Sequence, residues 1–276
     1  MKRISALLLA ALMLLTACFA FTACGGGRSD YAQIKEKGYF VCGITSYAPM
    51  NYLDDEGNLV GFDTEFAQAV AEELGLEAKF QIISWGSKYT ELNGGVIDLI
   101  WNGFTYGDEG EGENAVSRTE YVDFTYAYLK NVQCIVTKTT DLEALNTKES
   151  FAGKRGAAEA SSSGEAVAKE LCGEESYTAV AAQSNALMEL DAGTVDFVVI
   201  DYLMAKTLVG KDNYADLSIN TAYEPEPEVY AIGCRKGSDL TAKINEVIVK
   251  LSENGKLAEI AAKYDLTNDL IEEIGK

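Results

Sequence analysis

"ELNGGVIDLIWNG" (residues 91–103) and "ELDAGTVDFVVID" (residues 189–201) carry Glu, Leu, Gly and Asp at the same places, 98 residues apart. Each reads as a helix end, a glycine stop and a buried apolar strand. A single echo at so long a spacing points to two halves built alike, because a solenoid would show more copies at a shorter period. The same alternation runs outward from the first copy. "YFVCGI" (39–44) reads as a buried strand and "AKFQIIS" (78–84) as the next one. Between them "DTEFAQAVAEELG" (63–75) reads as a helix capped by Asp63 or Thr64, with Phe66, Val70 and Leu74 on one face and Gly75 as its stop. Strand, helix, strand is the pattern of an α/β fold with a largely parallel sheet, here in each of two lobes. Ligands of open α/β sheets sit beyond the carboxyl ends of the strands. That rule alone makes Asn102, Gly103, Phe104 and Thr105 candidates in one lobe, and Asp201 and Tyr202 in the other.

The beginning of the chain has a different character. Lys2 and Arg3 precede an apolar run from about 4 to 17, long enough for the core of an export signal and short of the ~20 residues of a membrane span. Leu-Thr-Ala-Cys18 and Phe-Thr-Ala-Cys24 both resemble the bacterial lipobox, whose cysteine is acylated and becomes the mature N-terminus. Cleavage before Cys18 leaves an apolar Phe-Ala-Phe in the tether, whereas cleavage before Cys24 leaves the flexible, polar Gly-Gly-Gly-Arg-Ser-Asp. The expectation is a signal peptide at 1–23, acylation at Cys24 with Cys18 as the alternative, a tether at 24–35, and an exported protein held to the outer face of the cell membrane by lipid.

The chain has 23 Lys and Arg, 43 Asp and Glu, and no His. The leader holds two of the basic residues and no acidic one, so the mature charge is 21 − 43 = −22. Such acidity argues against nucleic acid or anionic lipid as a partner. Without histidine the commonest general base and metal ligand is missing, so neither a metal site, a cofactor nor a catalytic triad is expected. Cys42, Cys134, Cys172 and Cys234 are scattered, with no C-x-x-C pair. Three of them sit in apolar strand-like runs and read as small core residues, with a disulfide left open.

Over residues 36–268 the chain resembles the bacterial extracellular solute-binding proteins of family 3, the receptors of polar amino-acid ABC transporters. The resemblance is carried, in order, by "YAPMNYLDDEGNLVGFDTEFAQAVAEELG" (47–75), "GVIDLIWNGFT" (95–105), "RTEYVDFTYAY" (118–128), "FAGKRGAAEASSSGEA" (151–166), "AGTVDFVVID" (192–201) and "INEVIVKLSENGKLAEIAAKY" (244–264). It implies a two-lobed, type II periplasmic-binding-protein-like fold whose lobes are joined by two hinge strands and close over a free amino acid. The crossings fall near 127–133 and 228–233, giving a first lobe of 36–130 and 229–276 and a second of 131–228. It also implies a monomer that hands its ligand to permease subunits and touches the membrane only through its lipid.

A zwitterion leaving water needs a partner for each charge, because an unpaired buried ion costs several kcal/mol. By resemblance, Arg118, Ser162 and Ser163 match the positions that hold the α-carboxylate. Asp201, with Gly103 and Thr105, matches those that hold the α-ammonium, Asn102 lies beside them, and Tyr47 and Trp85 wall the ligand side chain. Read alone, Ser162 or Asp201 could simply cap a helix. Twelve residues separate Thr105 from Arg118, more than in the family, including the acidic "GDEGEGENA" (107–115); the expectation is an inserted loop that leaves the arginine in place. Two rival readings use the same architecture. One is a cyclohexadienyl dehydratase, which needs a carboxyl group as general acid, and no residue stands out for that role. The other is a sensory ligand-binding module, which normally continues into a membrane helix, whereas this sequence runs out at "EEIGK".

Overall fold

The computed structural model describes residues 29–109, 116–224 and 226–275. The leader with Cys18 and Cys24, and the middle of the acidic insert, lie outside the described residues. A short helix α1 (Asp30–Lys37) leads into strand β1 (Tyr39–Ile44), a small hairpin of β2 (Tyr52–Leu53) and β3 (Leu59–Val60), helix α2 (Phe62–Leu74), β4 (Glu77–Ile82), α3 (Lys88–Asn93) and β5 (Leu99–Ile100). The insert follows as β6 (Asp108–Glu109) and β7 (Val116–Ser117), then β8 (Val122–Phe124) and the long β9 (Leu129–Lys138). The next elements are β10 (Gly156–Glu159), α4 (Ser163–Cys172), β11 (Tyr177–Val180), α5 (Gln183–Ala192), β12 (Phe197–Asp201), α6 (Tyr202–Leu208) and β13 (Leu217–Asn220). The chain closes with β14 (Pro227–Tyr230), β15 (Gly233–Arg235), α7 (Leu240–Glu253) and α8 (Lys256–Lys263).

Two sheets result, in the orders β4-β1-β5-β15-β8 and β11-β10-β12-β9-β13. In both, the strands that follow βαβ order pair parallel, β1 with β4 and β5, and β10 with β11 and β12. Strands arriving from elsewhere in the chain, β15 and β9, pair antiparallel. The two lobes are joined where β9 and β14 run side by side, Leu129 opposite Tyr230 and Val132 opposite Pro227. Backbone bonds from Thr125 to Ile232 (3.0 Å) and from Tyr128 to Tyr230 (2.9 Å) carry the pairing back into the first lobe.

The 98-residue echo is a structural repeat down to single bonds. Gly95 and Gly193 end α3 and α5 in the left-handed conformation, φ +73° and +75°, which glycine adopts without strain. The following residue in each case returns a hydrogen bond to the helix, Val96 to Glu91 and Thr194 to Glu189. Asp98 and Asp196 then lock the next strand to its neighbour in the same way: each donates its N–H to a carbonyl (Val41 or Arg155, both 2.8 Å). Each carboxylate in turn accepts that residue's N–H at 2.9 Å.

Phe40, Phe62, Phe66, Trp101 and Tyr128 fill the first lobe, and Ile135, Phe151, Leu171 and Phe197 pack between sheet and helices in the second. All four described cysteines are buried and free. One expectation needs correcting. Helix α2 starts at Phe62 behind Gly61, and Thr64 caps it no more than Asp63 does. Its carboxylate is fully buried, accepting the N–H of Gly103 (2.7 Å) and the hydroxyl of Tyr128 (2.9 Å). Burial pushes its pKa up to about 6, against those two bonds.

Candidate functional site

The carboxyl ends of β5, β10 and β12 face one cleft between the lobes, lined by Trp85, Asn102, Gly103, Thr105 and Arg118 from the first lobe and by Gln133, Glu159, Ser162, Ser163, Gln183 and Asp201 from the hinge and second lobe.

Arg118 reaches the cleft because β6 and β7 pair antiparallel, Asp108 opposite Ser117, which brings the two ends of the insert together. Its N–H bonds Gly107 at 2.9 Å. The guanidinium is 1% exposed. It donates to the Thr105 carbonyl (2.7 Å) and, across the cleft, to the Ser163 hydroxyl (3.1 Å), with its carbon 5.2 Å from the Phe104 ring centroid. Nε has no partner among the described residues. Of five donors, three remain for an anion. Ser163 begins α4, and a helix start is an end that favours an anion. Ser162 is the cap residue, accepting from the Glu165 N–H at 3.2 Å.

Asp201 ends β12, and its side chain makes no cap to α6. Instead its carboxylate accepts from Asn131 (2.5 Å), Gln133 (2.6 Å) and Gln183. The two hinge-strand amides also donate to Glu228 on β14, both at 3.1 Å. They thereby bridge two carboxylates, and Thr105 adds a third bond to Glu228 at 3.1 Å. Burial, with the charge of Glu228 second, raises the Asp201 pKa, and the amide bonds oppose this. The donors that reach it are amides and the Tyr230 hydroxyl, all neutral, so among the described residues no cation pairs with its charge.

Asn102 borders the cleft, but its side chain is fully committed. Its oxygen accepts both the N–H and hydroxyl of Thr45 (3.0 and 2.8 Å), and its amide donates to the Thr45 carbonyl (3.1 Å) and to Asn51 (2.7 Å). It fixes the loops that frame the site. Trp85 is 5% exposed and packs edge-on against Phe104.

Tyr47 is placed differently from the expectation. It is buried behind Gly103 and hydroxyl-bonded to Tyr230 at 2.7 Å, and it does not line the cleft. Gly103, which a Cβ would press against the Tyr47 ring, lines the cleft in its place.

Three cleft residues were not singled out from sequence: Gln133, Gln183 and Glu159. The two glutamines lie on a hinge strand and at a helix start, where no motif marks them. Glu159 ends the strand "GAAE", so the strand-end rule that picked out Asn102 and Asp201 applies to it equally. Among the described residues no cluster of acidic or cysteine side chains is arranged to hold a metal ion.

Known proteins share this arrangement. Residues 40–267 match the family described as bacterial extracellular solute-binding proteins, family 3. A probable histidine-binding protein of Neisseria gonorrhoeae is 28% identical over 89% of this chain and 90% of its own length. The arginine-binding extracellular protein ArtP of Bacillus subtilis is also 28% identical, over 92% and 96%. A substrate-binding protein of an ABC uptake transporter from Streptococcus pneumoniae, solved with bound histidine, superposes with a TM-score of 0.75 at 30% identity, over 86% of this chain and 96% of that one. Two lobes of this strand order, crossed twice by the chain and matched almost end to end by such relatives, leave one assignment: the chain belongs to the bacterial extracellular solute-binding proteins of family 3.

Proposed function

We propose that this protein captures a free amino acid outside the cell and delivers it to the permease of an ABC transporter, tethered to the membrane by an acylated Cys24. The observation that carries the ligand class is the pair Arg118 and Asp201. One comes from each lobe, both are buried, neither forms an ion pair among the described residues, and Arg118 Nε has no hydrogen-bond partner there. A carboxylate and an ammonium on one small molecule satisfy both at once. The names of the relatives, which bind histidine and arginine, support the same class. The leader sequence supports export and anchoring.

The dehydratase reading now has a carboxyl to point to in Glu159. A cyclohexadienyl acid incubated with the protein should nevertheless be recovered unchanged, and conversion to an aromatic product would replace the transport reading.

Thermal-shift measurements of residues 25–276 against the common amino acids test the proposal. A true ligand at a hundred times its dissociation constant adds about 2.7 kcal/mol of stability. No shift with any of them sinks it.

A further inference from the structure

We infer that Glu159 makes the cleft selective for amino acids whose side chain ends in a cation. The inference rests on the cleft being an amino-acid site. Once Arg118 and Asp201 have taken the α-carboxylate and α-ammonium, the remaining ionisable side chain lining the cleft is Glu159. It is 3% exposed, and its Oε1 has no hydrogen-bond partner among the described residues. A buried acceptor in that state is costly until something donates to it.

The charges in and around the cleft point to what the donor is. Among the described residues three carboxyl groups, Glu159, Asp201 and Glu228, are grouped with two cations, Arg118 and Lys88, even leaving aside Asp63 behind Gly103. Without a ligand, burial keeps a proton on Glu159 at neutral pH. A zwitterion brings it no countercharge, whereas a ligand with one further positive charge lets it ionise.

Lys88 does not substitute for it. Its ammonium donates to the Ser161 carbonyl at 3.1 Å and lies 5.3 and 4.6 Å from the ring centroids of Trp85 and Tyr89. Glu159 Oε1 remains without a bond all the same. Burial raises the Glu159 pKa to about 8, Asp201 adds to this, and Thr45 and Lys88 oppose it. An incoming guanidinium or ammonium supplies the countercharge that burial has removed, and the Trp85 ring beside it is a surface on which such a cation can rest.

Calorimetry on the purified protein with two matched pairs tests this: arginine against citrulline, and lysine against norleucine. Each pair keeps the carbon chain and removes the charge. The parent should prefer the charged member of at least one pair by about thirty-fold or more. In Glu159→Gln, which preserves shape, that ratio should fall to within about threefold, with circular dichroism showing an unchanged fold. A parent that binds the neutral members as tightly, or a variant that keeps the full preference, overturns the inference. Neutral amino acids binding while cationic ones fail would also overturn it, yet leave the amino-acid reading standing. Failure of every amino acid to bind would sink both.

Discussion

At the scale of the residue, the cleft is lined by one cation, Arg118, and two carboxyl groups, Asp201 and Glu159, and their loss should be felt differently. Arg118→Met keeps packing against Phe104 but removes the fork, and Asp201→Asn removes the charge while keeping the shape. Breaking one partner of a desolvated pair costs about 2–5 kcal/mol, so each should weaken amino-acid binding by roughly thirty-fold to a few thousand-fold in calorimetry. Binding by Arg118→Met at parental strength would mean that Ser163 and the start of α4 hold the carboxylate alone. Glu159 makes a separate prediction for the ligand-free protein. Its folded pKa of about 8 lies above the ordinary 4.5, so between those values the folded state holds a proton that the unfolded chain releases. Stability therefore falls as pH rises through that window, by an amount on the order of a few kcal/mol. Urea midpoints measured from pH 4.5 to 8 should show a steeper fall in the parent than in Glu159→Gln. Equal slopes would show that Glu159 does not hold the proton.

At the scale of the element, the repeated aspartates at the two helix-to-strand turns offer an internal control. Both accept a strand N–H, but they differ in burial: Asp98 is 6% exposed and pairs with Lys37 and Arg235, while Asp196 is 31% exposed and pairs with Arg155 on the surface. Asp98→Asn should cost about 2–3 kcal/mol and Asp196→Asn about 1 or less, read from denaturation midpoints. Comparable losses would mean that the shared backbone bond, and not the ion pair, dominates at both sites. These turns are also where the sequence was most legible. A glycine stop, an aspartate and an apolar run have local causes, and β1, β4, β5 and β12 follow from them. The site was legible where a strand end or a family position marked it, as at Asp201 and Arg118. Asp63 and Tyr47 were not legible. Asp63 satisfies the Gly103 N–H 40 positions away, and Tyr47 bonds Tyr230 across 183 positions, distances over which no local pattern carries information. Gly103 records the same crowding, since at φ +58° a Cβ there would stand 2.6 Å from the Tyr47 ring.

At the scale of the whole molecule, the cleft is held shut by bonds between lobes, from Arg118 to Ser163 and from Lys88 to Ser161. Both cross the cleft, so opening the lobes about β9 and β14 breaks them. Small-angle scattering should show a larger radius of gyration without ligand than with it. An unchanged radius, with binding confirmed by calorimetry, would count against hinge closure. The strand order also dictates a sequence of assembly. The second lobe's main sheet is formed from one continuous stretch of chain, whereas β15 must slot between β5 and β8 to finish the first. Until residue 235 is available, β5 and β8 present unpaired edges, and the apolar residues beneath them lack the cover of α7 and α8. In the export proposed above, a chain threaded from its N-terminus has its first lobe half-built for most of the passage. Chains cut short before β15 should be the ones that aggregate or are degraded, while their second lobe is already folded.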